Sequence, residues 1–526
     1  MSEKRPNPVL QDHVAVKRKL APRFASRLGN RISPYSWTRQ LVPEAIWIAL
    51  IIDHCGYLDA RRICLDLLNI TRKIWESDNN SRFANFSTFL MLNDEQKRHI
   101  KSNIDNSNRF KIVDSLNPLF SIISTHPLDF LSSEYEYDNP DKDRLSKVLK
   151  DVYDRNGRLA VLSMALTYYI GIEQDRIRIS PHMVDDFVEK FKHIPNYPDS
   201  EEARDAAGAF RAAAPMLFMS YKDDGSNFES DEPWVNEFWD AVSGFGPCSF
   251  LDTLEDEPLE SDESIERFIV SYRNRVRSDL RERLARWPLN LNEIETYEVI
   301  SSLLCRQATI TIELASSPGI WTPHTAPIIL RSMADVFISL AWILKDPTAR
   351  CKKYIEDGLG AIKLQIAHQE RALEDATDPA DIDDLRTMID AWREWLSMQR
   401  LHIFVEVNLG NWSGLNTRKM AEESGFIDFY NYVYQPFSGA VHSNWPHIST
   451  LNAVHCQNPA HRGHRAPAIV NTPPDLHWLF LATKYLSKTL AHFDDVNGLV
   501  GIPQSAFDFF TEQVEVDQSE PGENDI

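Results

Sequence analysis

The chain has 526 residues, 43% hydrophobic and 25% charged, the composition of a globular protein long enough for two to four domains. Its 77 acidic against 56 basic side chains leave a net charge of −21, which argues against broad, sequence-independent binding to nucleic acid but leaves room for a local basic site. Only 19 glycines favour helices over turn-rich β structure, and six cysteines without a C-x-x-C pair read as reduced thiols of a cytoplasmic protein.

Residues 1–35 carry Lys4, Arg5, Lys17, Arg18, Lys19, Arg23, Arg27 and Arg31 with little apolar periodicity, and are expected to form a flexible basic arm. A helical module follows over 36–250. Pro43 opens a helix through Ala45–Ile51, and Gly56 precedes a second one with Leu58, Ile63, Leu67 and Ile74 at three-to-four spacing. Further helices are expected over 94–104, 143–153, 158–169 and 183–191. The apolar run Ala45–Ile52 is broken by Asp53 and His54, so no membrane span is predicted. Fifteen acids and one base crowd residues 221–266, and 251–263 reads as an acidic linker or loop. The next helix, 265–287, carries seven arginines, either a solvated face or a basic surface for a phosphate backbone.

A second helical module spans 264–500, with helices over 293–315, 327–344, 352–374, 381–407, 418–423, 428–442 and 474–493. Residues 501–526 read as a disordered acidic tail. The fold class is therefore all-α, two helical modules with no sheet, the C-terminal one a bundle.

Within that bundle, Pro327–Leu344 is apolar almost all round and should be buried. Its polar residues Arg331, Ser332, Asp335 and Ser339 fall on one side, and Arg331 and Asp335 can pair at i,i+4. One helix earlier, Arg306 and Glu313 lie two turns apart on a common face. The aromatic stretch FYNYVYQPFSGAVHSNWPH brings Ser438 and His442 to i,i+4, with Asn444 beyond. Together these residues are expected to form a buried polar centre, either a structural network or a pocket. In a pocket Asp335 or His442 would act as base and Arg331 or Arg306 as clamp.

These residues also carry a resemblance. The Arg-x-x-x-Asp helix that ends in Lys345, Asp346 and Pro347, followed by the helix that ends Ser438-x-x-x-His442, is similar to a prokaryotic helical family of unknown function. In outline it resembles HEPN-like bundles over roughly 290–495. That resemblance implies a homodimer acting on RNA or a nucleotide in toxin or anti-phage defence. The Arg-x(4–6)-His motif of HEPN nucleases is missing from the second half; Arg176 and His182 have its spacing elsewhere.

His442, His447, His455, His461 and His464 crowd 23 residues together with Cys456. His461-x-x-His464 could hold one metal from a loop, with Cys456 or His455 as further ligands, but Arg462 and Arg465 flank it and there is no H-E-x-x-H and no second cysteine pair. The expectation is a polar loop with no metal and no cofactor. A transition-metal site and a phosphate-contacting loop of Arg462, His464 and Arg465 remain as alternatives. No Walker motif, G-x-S-x-G elbow or strand–G-x-G-x-x-G–helix unit is present. Three functions stay open: an effector acting on RNA or a nucleotide, a non-catalytic sensor or scaffold that meets a protein partner through its acidic surface, and a metal-dependent hydrolase.

Overall fold

The computed structural model describes residues 13–16, 19–22, 37–77, 89–90, 92–132, 141–154, 157–173, 200–201, 233–250, 263–399, 405–408, 410–470, 472–502 and 505–519. They are overwhelmingly helical, and the fold class is all-α. The chain divides into two compact units. The first takes residues 1–251 and, from far along the sequence, 455–466; the second takes 252–454 and 467–526. The expected helix over 183–191, the Arg176–His182 pair and all but the last residue of the 251–263 linker lie outside the described residues.

Two short ribbons interrupt the helices. In the basic arm, His13–Val16 (β1) pairs antiparallel with Lys19–Pro22 (β2), Val14 opposite Ala21. Val14 and Val16 alternate along β1 as strand residues do, so the expected flexible arm includes a short antiparallel ribbon at 13–16 and 19–22. The second ribbon, Ala453–His455 (β3) with Arg465–Pro467 (β4), brackets the excursion into the first unit.

The first unit comprises α1 (Val42–Cys55), α2 (Tyr57–Ser77), α3 (Asp94–Asn103), α4 (Asn106–Phe120), α5 (Lys142–Tyr153), α6 (Arg158–Glu173) and α7 (Pro233–Val242). Every residue of α1 from Val42 to Ile52 is buried, because all but Glu44 are apolar and α2, α4, α5 and α6 pack against it. Arg144 of α5 clasps it from outside: Nε donates to Asp53 Oδ2 at 3.0 Å and Nη2 to the Leu50 carbonyl at 2.8 Å. α7 buries Trp234, Val235, Phe238, Trp239 and Val242. Mid-helix, Glu237 accepts the backbone N–H groups and hydroxyls of Ser124 and Thr125 at 2.5–3.1 Å, which ties α7 to the turn that follows α4. α3 opens with a capping box: Asn93 Oδ1 accepts the Gln96 N–H at 2.9 Å and Gln96 Oε1 accepts the Asn93 N–H at 3.0 Å. Asn93→Ala is expected to cost about 1 kcal/mol in urea unfolding; an unchanged midpoint would contradict that role.

The second unit comprises α8 (Glu263–Arg286), α9 (Ile294–Ala315), α10 (Ala326–Ile343), α11 (Pro347–Asp375), α12 (Pro379–Ser397), α13 (Thr417–Ser424), α14 (Gln435–Val441), α15 (Trp445–Leu451), α16 (His477–Asn497) and α17 (Ala506–Ser519). α10 is the core helix, packed against α9, α13, α14 and α16. Among the described residues it is also the one helix long and apolar enough to cross a membrane, and most of it is buried in this core. α12 stops at Ser397, ten residues short of the expected 407. Residues 405–408 instead run without regular structure against α11. There Lys363 Nζ donates to the Val405 carbonyl at 2.9 Å. Gly360 carries no Cβ, which would stand 2.6 Å from the Glu406 carbonyl.

The acidic tail is corrected as well. Within it α17 buries Ala506 and Phe510, whose ring packs on Phe268, Tyr272 and Phe480. Three phenylalanines at 507, 509 and 510 outweigh the surrounding charge.

Candidate functional site

The expected polar centre assembles only in part. On α10, Arg331, Ser332, Asp335 and Ser339 do share one half-buried side, and Arg331 forms an ion pair with Asp335. The Arg331 guanidinium carbon sits 3.1 Å from the Tyr434 ring centroid, and Tyr434 in turn stacks on Tyr430 at 4.7 Å. The Tyr434 hydroxyl donates to Thr417 Oγ1 at 3.1 Å. Burial raises the Asp335 carboxyl above its ordinary range, against the opposing pull of Arg331 and the Tyr434 hydroxyl.

The other expected members do not join it. Arg306 and Glu313 are exposed, because α9 turns Leu303, Leu304, Gln307, Ala308, Thr311 and Leu314 inward and leaves the charged side to water. Ser438 is half-buried without a side-chain hydrogen bond among the described residues. His442 caps the C-terminal end of α14, exposed, and its ring makes no hydrogen bond there. Asn444 precedes α15, also exposed, with no capping bond from its side chain. α14 ends at Val441, close to the expected end at 442, and Pro446 sits in the first turn of the next helix, which begins at Trp445.

The buried polar network of this unit is built from residues that sequence reasoning passed over. Arg283 lies between two carboxylates: its Nε donates to both oxygens of Asp494 at 3.0 and 2.9 Å, and Nη1 pairs with Asp279. Asp279 Oδ2 also accepts the Ala506 N–H at 3.1 Å, anchoring the start of α17. Higher in the core, the Tyr272 and Thr483 hydroxyls meet at 2.6 Å, and the Gln307 amide donates to Thr489 Oγ1 at 3.0 Å and the Met333 carbonyl at 3.3 Å. The signal was present. Asp279 and Arg283 continue the stripe Ile269, Tyr272, Val276 and Leu280 at helical spacing, so they had to face inward.

The histidine-rich segment has a different geometry from the one expected. Cys248, carried by the chain leaving α7, meets Cys456, His461 and His464, and one ligand atom from each lies within 4.8 Å of all the others. Cys248 Sγ is 3.3 Å from His461 Nδ1 and 3.4 Å from His464 Nε2; Cys456 Sγ is 3.4 Å from His461 Nδ1. The opposite ring nitrogens are occupied: His461 Nε2 reaches the Ser243 carbonyl at 3.1 Å, and His464 Nδ1 the Arg465 carbonyl at 3.3 Å. Asn458 joins the two segments, its amide donating to the Phe245 and Pro247 carbonyls at 3.0 Å while Oδ1 accepts the Ala460 N–H. Gln457 N–H donates to the Ser249 carbonyl, and Cys456 N–H to that of His464.

The turn between the histidines needs two left-handed residues, Arg462 at φ 57° and Gly463 at φ 62°. Arg462 extends towards the Trp239 ring, 5.8 Å from its centroid, and Arg465 is exposed. Of the three expected phosphate contacts, Arg462, His464 and Arg465, His464 turns Nε2 to the Cys248 thiol. Two cysteines and two histidines can hold a metal here; a transition-metal site is among the alternatives expected for this segment, but without Cys248 among its ligands. Cys248 stands 208 positions before Cys456, beyond any local motif.

Residues 297–459 match the profile of a family of unknown function (DUF5677).

The matched segment is under a third of the chain. It starts in α9 and takes in α10 to α15, with Arg306, Arg331, Asp335 and His442, and it ends before His461 and His464. It supports a domain of unknown function in the C-terminal half. No curated protein and no solved structure matches the chain.

Proposed function

We propose that the chain is a non-catalytic sensor or scaffold protein, its C-terminal polar residues holding the bundle together. The surroundings of Asp335 carry this reading. Among the described residues, the polar groups that act on its carboxylate are Arg331 and Tyr434, and neither is a base. His442 is exposed at a helix end and, among the described residues, has no hydrogen-bond partner to orient it, whereas a general base needs hydrogen-bond reach to its proton and a group that fixes its tautomer. The protein partner is assigned to the acidic surface, as a complement of basic character. A cytoplasmic setting fits six free thiols, and a homodimer fits the expected family outline.

One observation favours an effector that acts on RNA or a nucleotide, the HEPN-like defence or toxin reading. Arg331 over Tyr434, itself stacked on Tyr430, is a guanidinium and aromatic platform of the kind that holds a base or phosphate. A metal-dependent hydrolase on the histidine segment is less well supported. Four side-chain donors fill a tetrahedral sphere and leave no open position for a substrate.

Chromatography of nucleoside triphosphates and short single-stranded RNAs incubated with the full chain decides between these readings. No turnover is expected, and Ser438→Ala and His442→Ala should melt within about 0.5 kcal/mol of the wild type, as exposed or half-open sites do. Turnover that disappears in His442→Ala or Arg331→Ala, with melting unchanged, overturns the scaffold reading in favour of the effector.

A further inference from the structure

We propose that Cys248, Cys456, His461 and His464 bind one Zn²⁺ ion in a closed, tetrahedral Cys₂His₂ site of structural type.

The geometry supports this in three independent ways. First, the spacing fits. Zinc bonds of about 2.3 Å to sulfur and 2.0 Å to nitrogen put tetrahedral S···N edges at about 3.5 Å, and the three recorded S···N separations are 3.3–3.4 Å. Second, the tautomers are set for ligation. His461 spends its Nε2–H on the Ser243 carbonyl and so turns an Nδ1 lone pair to the thiols; His464 spends Nδ1–H on the Arg465 carbonyl and so turns Nε2 inward. An imidazole held through its second nitrogen by a carbonyl is the usual outer support of a metal ligand. Third, the charge and softness fit. Two thiolates cancel the charge of a divalent ion, and a tetrahedral set of two sulfurs and two nitrogens selects zinc over the hard, oxygen-seeking cations. The flanking arginines do not oppose this, since Arg462 extends towards Trp239 and Arg465 is exposed.

The ion would link parts of the first unit that are distant in sequence: the segment leaving α7 and the 455–466 excursion, which also seats Ala460 in the hydrophobic core. Asn458 and Gln457 bring these segments together through main-chain contacts. The metal adds a cross-link whose binding energy becomes folding energy. Water, nucleotide and RNA have no place in the coordination sphere, so the role is to hold the segments, not to catalyse.

The test uses the full chain purified without added metal. Elemental analysis is expected to find about one zinc per chain. Exchange for Co²⁺ should give the intense visible absorption of a tetrahedral site together with thiolate-to-cobalt charge transfer in the near ultraviolet. After dialysis against a chelator, Cys248→Ser and His464→Ala should each hold well under one zinc equivalent, whereas Cys305→Ser, at an exposed cysteine of the other unit, should keep a full equivalent. The first two measurements read the wild-type protein and stand even where a variant fails to fold. The proposal is overturned by wild-type chain that carries no zinc and takes up no cobalt, by recovery of Cys248 and Cys456 as a disulfide, or by a full zinc equivalent in Cys248→Ser.

Discussion

Arg283→Met is expected to destabilise the C-terminal unit by about 3–5 kcal/mol, the cost of removing one partner from a buried ion cluster. Arg283 is 5% exposed and Asp279 5%, so neither water nor salt can replace the guanidinium. The variant leaves two carboxylates facing each other across the space it vacates, and it loosens Asp279, the acceptor for the first amide of α17. The loss should depend on pH. Burial, opposed by Arg283, already holds Asp494 above the ordinary carboxylate range. A group with a raised folded pKa contributes stability that is complete below its unfolded value and is lost as pH rises through the folded one. Without the guanidinium, Asp494 should rise further, so the deficit is largest at neutral pH and shrinks towards about pH 4. Urea unfolding at both pH values measures it. A deficit below about 1 kcal/mol, or one that grows on acidification, contradicts the cluster's role.

The second large effect is expected at Gly463. A Cβ there would stand 2.1 Å from the Tyr153 hydroxyl oxygen, and φ of 62° disfavours any side chain. Gly463→Ala should cost about 2–5 kcal/mol, combining backbone strain with overpacking. The cause can be separated by a double-variant cycle. Tyr153→Phe removes the oxygen and leaves the ring carbon at 3.4 Å, so the double variant should recover the steric part and retain only the conformational part. If the two substitutions add with no coupling, the tight seat of the turn against α5 is wrong.

How much of this was readable in the sequence follows from where each signal lies. Local signals gave the helices: Pro43 at the start of α1, the three-to-four spacing of α2, and the apolar stretch of α10 are contained within one element. The Arg331–Asp335 pair was legible for the same reason, being four residues apart on one helix. What failed depended on which face a neighbour covers. Arg306 and Glu313 were aligned correctly with each other but placed on the wrong side of α9, since nothing in one helix says which side its partners take. Asp279 and Arg283 could have been found by following the apolar stripe of α8 through to its charged end. In the tail, the net charge masks Phe507, Phe509 and Phe510, of which Phe510 is buried and the other two are half-buried against aromatic rings. Cys248 could not be found from spacing, because its partners follow 208 residues later and only the fold brings them within 4.8 Å.

The most direct test of the metal centre is X-ray absorption at the zinc edge on the intact, purified chain. Two sulfur neighbours at about 2.3 Å and two nitrogen neighbours at about 2.0 Å are expected, with the outer-shell scattering of imidazole rings. A shell of oxygen ligands, or a fifth and sixth neighbour, would contradict a closed Cys₂His₂ site and return the histidine segment to the hydrolase reading.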